Sequence, residues 1–433
     1  MAITYKNGFI ACFVVIYFLV TFGATIYFTH SDFSTFLKTF VWQRNYSLSG
    51  KHFFSKISDE RWLHLQRKFF GCNLNILWDA DLQSNNAKTL TYRCESFCGG
   101  LGDRLRGIIS SYFLALVLHR KFMIHMRYPC EITHLLTPNR YNWIYRKLKS
   151  NATRSKKVIK AIDKPDILSE LRSSSFLNEW AEYDDIIIYT NLDLLTAIFN
   201  NPAIRQNSVI NIFLQQMLPE EANFQSLFSL LFEILFKPTK KVIQLIDPIL
   251  EQIASFNMSL LCLHIRVGQN PSNPKDQLLK DRSTIADDMI TFIEKHIIPK
   301  QQNLLMLIAS DSNDSISKIK RRFPNQSITI PGPIIHMDRP TTIENIGDGC
   351  LTVLATFYVL GECHINILTN SGFSALANRR RIHPYADLYK YNFKEKRIER
   401  CEDVISTSQW EPKQSASFVL YCPVVTNFAV QEL

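Results

Sequence analysis

Four short runs in this 433-residue chain bring together residue types that hold anions. The first is Cys98-Gly-Gly-Leu-Gly-Asp-Arg-Leu-Arg-Gly107. Its glycines, Gly100 and Gly102 among them, let the backbone come close to another group, and the helix start behind them offers free N–H donors. Arg104 and Arg106 point to a negatively charged ligand, with Asp103 between them as a carboxylate. The second run, Leu260-Leu-Cys-Leu-His264-Ile-Arg266-Val-Gly268, is an apolar strand ending in polar residues. There the Arg266 guanidinium could hold pyrophosphate oxygens two at a time. The third, Leu304-Leu-Met-Leu-Ile-Ala-Ser310-Asp311-Ser312, ends in an aspartate that either receives hydrogen bonds from a nucleobase or ribose or caps the next helix. The fourth, Ile365-Asn-Ile-Leu-Thr369-Asn370-Ser371-Gly372-Phe373-Ser374, is a strand, a Ser/Gly turn and a helix start. Its N–H groups and the Ser371 and Ser374 hydroxyls suit a phosphate, as they would an ordinary helix cap.

The elements that must position these runs follow a regular rhythm. In the second half, helices are expected over Lys240–Ala254, Ile285–His296, Ser315–Phe323 and Cys350–Leu360, and again from near Gly372. Strands are expected over Ser259–Ile265, Leu304–Ala309, Ser327–Ile330 and Ile365–Leu368. The first half is less regular, with strands expected at Asn75–Trp78, Lys121–His125 and Asp185–Tyr189 and helices after Gly102 and around Phe224–Phe236. Alternating strands and helices imply βαβ units and a parallel sheet, whose ligands bind beyond the carboxyl ends of the strands. The second, third and fourth runs sit at such ends, and the first lies between a short polar run and an apolar helix pattern.

In order and spacing the runs resemble the fucosyltransferase superfamily, which includes protein O-fucosyltransferases, core α1,6-fucosyltransferases, bacterial nodulation enzymes and plant xyloglucan fucosyltransferases. The likeness covers roughly residues 70 to 385, and the Gly-Leu-Gly-Asp-Arg loop with Arg120-Lys121 is most like the plant and protein-O types. The resemblance implies an α/β fold of the GT-B kind, two Rossmann-like domains facing a cleft, over 61–240 on the acceptor side and 241–400 on the GDP-sugar side. It also implies inverting, metal-independent transfer from GDP-fucose, with no cofactor, to a glycan or protein hydroxyl. By the same likeness Arg266 binds the diphosphate, His264 lines the nucleotide pocket and Asp311 meets guanine or ribose. Ser371, Gly372, Phe373 and Ser374 close over the phosphates, Gly268 ends the His-x-Arg-x-Gly run, and Asp103 orients the acceptor or serves as base.

A competing metal-dependent reading rests on Asp79 and Asp81, spaced as in an Asp-x-Asp site bridging a divalent cation to a diphosphate. They lie too near the stem for a nucleotide-binding half to precede them. A non-catalytic glycan-binding protein is the other alternative. His125, His134 and His383 have no metal-ligand spacing and read as ordinary polar residues.

Residues 8–28 carry no charge and are about long enough, at roughly 1.5 Å per residue, to span a bilayer. We expect a cytosolic tail over 1–7, a signal-anchor over 8–28, a stem over 29–60 and a C-terminal tail over 401–433. This makes a single-pass type II Golgi membrane protein whose catalytic region is luminal. Glycosylation triplets at Asn45, Asn151, Asn257 and Asn325 agree, whereas the one at Asn313 is expected to be unused because it adjoins Asp311. With Cys12 in the anchor and Cys262 read as a buried thiol, eight cysteines remain to pair in an oxidising lumen, Cys401 with Cys422 first. The net charge of +10 suits a polyanionic ligand. Nucleic acid is excluded as a partner, since no basic run is interleaved with aromatics and no zinc-finger spacing occurs.

Overall fold

The computed structural model describes residues 53–69, 74, 77, 88–147, 154–204, 224–268, 278, 279, 281–338 and 346–401. They belong to one compact unit that begins at His52. The expected signal-anchor, Asp79, Asp81, Asn45, Asn151 and Cys422 lie outside the described residues, as does the strand expected at Asn75–Trp78 apart from Leu77. Among the described residues no helix is long and apolar enough to cross a membrane.

In chain order the elements begin with helix α1 (Phe53–Lys68), strand β1 (Thr89–Cys94), α2 (Leu101–Val117), β2 (Lys121–Met126), β3 (Leu136–Pro138) and β4 (Lys156–Ala161). Short helices α3 (Asp166–Arg172) and α4 (Phe176–Ala181), β5 (Asp185–Thr190), α5 (Leu195–Phe199), α6 (Phe224–Leu235), β6 (Phe236–Pro238) and α7 (Lys240–Ser255) follow. The last part comprises β7 (Ser259–Ile265), α8 (Ile285–Phe292), β8 (Leu304–Ser310), α9 (Asn313–Arg322), β9 (Ser327–Ile328), α10 (Ile346–Leu360), β10 (Ile365–Leu368), α11 (Gly372–Arg379), β11 (Leu388–Asn392) and β12 (Arg397–Cys401).

Two parallel sheets result. The first runs β2-β1-β5-β4, and the second β12-β11-β10-β7-β8-β9 with only β12 antiparallel. Numbered within its own half, the second sheet has the order 3-2-1-4-5-6 of a dinucleotide-binding sheet, with its switch point between β7 and β10. The buried run Leu260–Ile265 makes β7 the central strand, flanked by β8 and β10. Apolar residues of β7 and β8 pack on Ile285, Met289, Ile293 and Ile319 from the helices. In the first half, α2 is buried on nearly every side, which its run Ile108–Val117 permits and a solvated amphipathic helix would not.

Several expectations need correction. Phe53–Lys68, partly assigned to the stem, is a docked helix. Phe54 N–H donates to Asp247 at 2.9 Å, and Arg61 is buried in a network with Glu233, Glu362 and Arg380. Cys262 is not a free thiol but is disulfide-bonded to Cys363, because β7 lies beside the turn that enters β10. Cys94–Cys98 and Cys130–Cys350 form two further bridges. Cys401 is also disulfide-bonded. The helix expected to run to His296 ends at Phe292 and gives way to a wider turn, Ile293–Ile297, and then a 3-10 turn, Ile298–Lys300. Pro299 in that last turn has no N–H and disfavours helical geometry in the residue before it.

Candidate functional site

The switch point of the second sheet assembles two of the four runs. Strands β7 and β10 are parallel neighbours with His264 beside Leu368. Beyond their carboxyl ends, Thr369 N–H donates to the His264 carbonyl at 2.9 Å and Arg266 N–H to the Thr369 hydroxyl at 3.0 Å. The His264 and Phe373 rings lie 5.5 Å apart, so the start of α11 leans over the end of β7. Burial pushes the His264 imidazole down to about 4, opposed by Asp311 and reinforced by Arg266. At neutral pH the ring is uncharged, so the positive charge here comes from arginine.

Asp311, from the end of β8, builds the turn that carries Arg266. Its carboxylate accepts from Val267 N–H at 2.8 Å, from Gly268 N–H at 2.7 Å and from the Arg266 guanidinium. Gly268 holds the turn at φ 97°, which suits glycine. Asp311 thus does not cap α9, which Ser312 does through its hydroxyl and Ser315 N–H at 3.3 Å; its carboxylate is engaged in the turn that carries Arg266. The Gly268 N–H, taken by Asp311, is likewise not a phosphate donor. Arg282 joins the group: its guanidinium donates to the Arg266 carbonyl at 2.7 Å and stacks 4.3 Å from the Phe393 ring.

The Gly-rich loop comes from the first sheet, leaving β1 and opening α2. It faces this site directly. A Cβ on Gly102 would lie 2.7 Å from the Gly372 carbonyl carbon and 2.8 Å from the Phe373 nitrogen. The two helix starts therefore meet backbone to backbone, and Gly102 serves that meeting, not the approach of a ligand. Asp103 accepts the Gly100 N–H at 3.1 Å and lies 3.4 Å from Arg106. It keeps about two-fifths of its side chain exposed on the lip of the cleft.

Arg104 is corrected most. It is fully buried and donates to the Gly99 carbonyl at 2.8 Å, to Cys94 Sγ at 2.7 Å, to the Tyr128 carbonyl at 2.5 Å and to Asp338 at 3.1 Å. That guanidinium fixes the loop and does not reach a phosphate. Arg106 is mostly buried and donates to the Asn191 carbonyl at 3.3 Å. Ser374 is also turned inward, buried and 3.4 Å from the Ser371 carbonyl, because it lies on the core face of α11. Ser371 sits at the N-cap position of α11 in an extended conformation, φ −157°, without a side-chain capping hydrogen bond, and stays partly exposed with Gly372 and Phe373.

Two residues that sequence reasoning passed over complete the cleft. Asp338, in the segment between β9 and α10, accepts Cys98 N–H at 2.9 Å together with Arg104, tying the two halves across the site. His336 stands two residues earlier. A Cβ on Gly100 would lie 3.6 Å from its Nε2 and Cε1. Burial, reinforced by Arg266 and opposed by Asp338, Asp103 and Asp311, holds its imidazole below the usual histidine range. Only the run Pro331-Gly-Pro-Ile-Ile-His-Met-Asp338, turn residues followed by two polar groups, could have drawn attention to them. Cys130–Cys350 is a further tie between the halves, joining the segment after β2 to α10. Among the described residues no cluster of three His, Cys, Asp or Glu side chains has metal-ligand geometry.

No protein-family model matches the chain, and no curated protein matches it. Solved structures do. An arginine-to-lysine variant of Arabidopsis thaliana FUT1 in complex with GDP is similar at 13% identity, covering 79% of each chain with a TM-score of 0.49. The NodZ α-1,6-fucosyltransferase soaked with GDP-fucose is 12% identical, over 72% of this chain and 98% of that one, with a TM-score of 0.42. NodZ from Bradyrhizobium is 14% identical, over 70% and 96%, also with a TM-score of 0.42.

Proposed function

We propose that this chain is an inverting, metal-independent glycosyltransferase that moves fucose from GDP-fucose to a hydroxyl of a glycan or protein. One observation carries the reading: Arg266, His264 and the Ser371–Phe373 helix start converge at the switch point of a 3-2-1-4-5-6 sheet, and the Gly-rich loop closes the opposite side. The order of the motifs, which resembles the fucosyltransferase superfamily, supplies the identity of the sugar nucleotide.

The chemistry follows from the groups present. As the bond from the sugar anomeric carbon to the β-phosphate oxygen breaks, negative charge develops on that phosphate. Arg266, held by Asp311, and the N–H groups opening α11 are fixed donors at the place where that charge appears. Arg282 adds positive charge behind them. The acceptor oxygen bonds to the anomeric carbon from the face opposite the phosphate, and its proton leaves to a base. Asp103, the carboxylate on the lip of the cleft, is the group placed to orient the acceptor or take that proton. GDP carries away the electron pair of the broken bond.

The setting is part of the proposal: a luminal catalytic region of a single-pass type II Golgi membrane protein, anchored through residues 8–28 and N-glycosylated. Three disulfides among the described residues support an oxidising compartment, and Asn257 and Asn325 are exposed. Incubating the purified full chain with GDP-fucose over a glycan array, with and without EDTA, tests the activity. Fucosylated product that is insensitive to EDTA supports the reading. Product lost on chelation favours instead the metal-dependent alternative at Asp79 and Asp81.

A further inference from the structure

His336 belongs to neither sheet, yet its ring lies against Gly100 of the opposite half. Its Nδ1 accepts the backbone N–H of Asp338 at 3.3 Å. That hydrogen bond selects the tautomer: with Nδ1 as acceptor, the proton of the neutral ring resides on Nε2. Nε2 is the edge that faces Gly100, where a Cβ would lie 3.6 Å from it and 3.7 Å from Asp103 Oδ2. Gly100 has no side chain, so Nε2–H and the Asp103 carboxylate border the same small open space. The charges acting on the ring are Arg266, Asp338, Asp103 and Asp311, and they come from both halves of the molecule.

We infer that His336 is a neutral hydrogen-bond donor to the sugar nucleotide, its Nε2–H directed at a diphosphate oxygen opposite Arg266. The inference rests on the donor-site reading above and extends it with a residue that none of the four sequence runs contains. The same geometry argues against His336 as the base. A base needs its lone pair on Nε2, which would put a proton on Nδ1 against the Asp338 N–H. A neutral donor aimed at developing phosphate charge strengthens as the bond breaks, so its contribution falls mainly on kcat.

Two substitutions separate this role from a purely structural one. In His336→Asn the side-chain oxygen sits where Nδ1 was, keeping the tie to Asp338 but leaving nothing at the position of Nε2. His336→Gln reaches that outer position with an amide N–H. The full chain is assayed for GDP binding by calorimetry, for transfer from GDP-fucose and for melting temperature. The Asn variant is expected to melt as wild type but lose about 100-fold in kcat, with a far smaller loss of GDP affinity, while the Gln variant keeps most of its turnover. A structural role predicts the reverse, with Asn the milder change. Equal loss in both variants, or loss in neither, overturns the assignment. Wild-type protein that neither binds GDP nor turns over GDP-fucose fails the donor-site reading itself, before either variant is compared.

Discussion

Gly102 and Gly372, in opposite halves of the molecule, are packed so closely that neither half can approach the other if Gly102 gains a side chain. A methyl group there would sit 2.7 Å from the Gly372 carbonyl carbon, inside van der Waals contact with backbone that cannot rotate away. The contact joins the starts of α2 and α11, so it sets the width of the cleft. Gly102→Ala should therefore lower stability by about 1–3 kcal/mol, the usual cost of overpacking, and abolish most turnover by holding the lips apart. Gly347→Ala is the control, since among the described residues no heavy atom lies within 4 Å of its added Cβ. Melting curves and initial rates of both variants check the contrast.

Acid should destabilise the fold through two buried imidazoles. Burial pushes both His264 and His364 down to about 4, and His364 Nδ1 accepts the Leu260 N–H at 2.9 Å. Between the unfolded value near 6.5 and the folded value near 4 the unfolded chain binds more protons, so stability is complete above pH 6.5 and declines as pH falls toward 4. Each imidazole contributes up to about 3 kcal/mol of that decline. His364→Gln, which is uncharged at every pH, should flatten part of the fall in melting temperature between pH 6.5 and 4. An unchanged slope would remove His364 from the explanation.

The Cys130–Cys350 bridge closes 220 residues of chain and joins the segment after β2 to α10. Replacing both cysteines by serine should lower stability by about 2–5 kcal/mol. Because the Arg104–Asp338 and Gly102–Gly372 contacts remain, the variant should still fold and bind GDP at reduced temperature. Thermal unfolding followed with and without GDP measures both effects.

The helix before the first sheet is an integral part of the fold. Arg61 is buried against Glu233 and Glu362 and donates to the Arg380 carbonyl at 2.7 Å, while Arg380 lies 3.3 Å from Glu233. Arg61→Ala removes one partner of a buried ionic network and should cost about 3–5 kcal/mol. Deleting residues 1–52 should leave a folded protein, whereas deletion through Lys68 should not. Expression and circular dichroism of the two truncations decide the point.

Four of the six strands of the second sheet, β7 to β10, were legible, β7 and β8 because they are long apolar runs, whereas β11 and β12, with charged and polar residues throughout, were not. The run Ser259–Ile265 was read to its observed bounds. Strands with mixed faces were harder. Strand β1, Thr-Leu-Thr-Tyr-Arg-Cys, alternates polar and apolar residues, and β4, with lysines at three of its positions, lies at the sheet edge, so neither stands out in the sequence. The site was legible as a set of motifs but not as a division of labour. Arg104, Asp311 and Ser374 have the right chemistry for a ligand, and each is taken by partners distant in sequence or hidden by its helix face. His336 and Asp338 were missed because a loop residue acquires its role only when the other half folds against it. Local spacing does not carry that information.

Transfer from GDP-fucose by wild type and by Arg266→Ala is the most direct test of the account. Removing Arg266 leaves the Asp311 carboxylate with the N–H groups of Val267 and Gly268 at 2.8 and 2.7 Å, so the turn should survive and the variant should melt as wild type. The account predicts that the wild-type chain binds GDP and transfers fucose, and that Arg266→Ala loses at least about 100-fold in turnover with its fold intact. A wild-type chain that binds no GDP and consumes no GDP-fucose with any glycan or protein acceptor would contradict it, as would an Arg266→Ala variant as active as wild type.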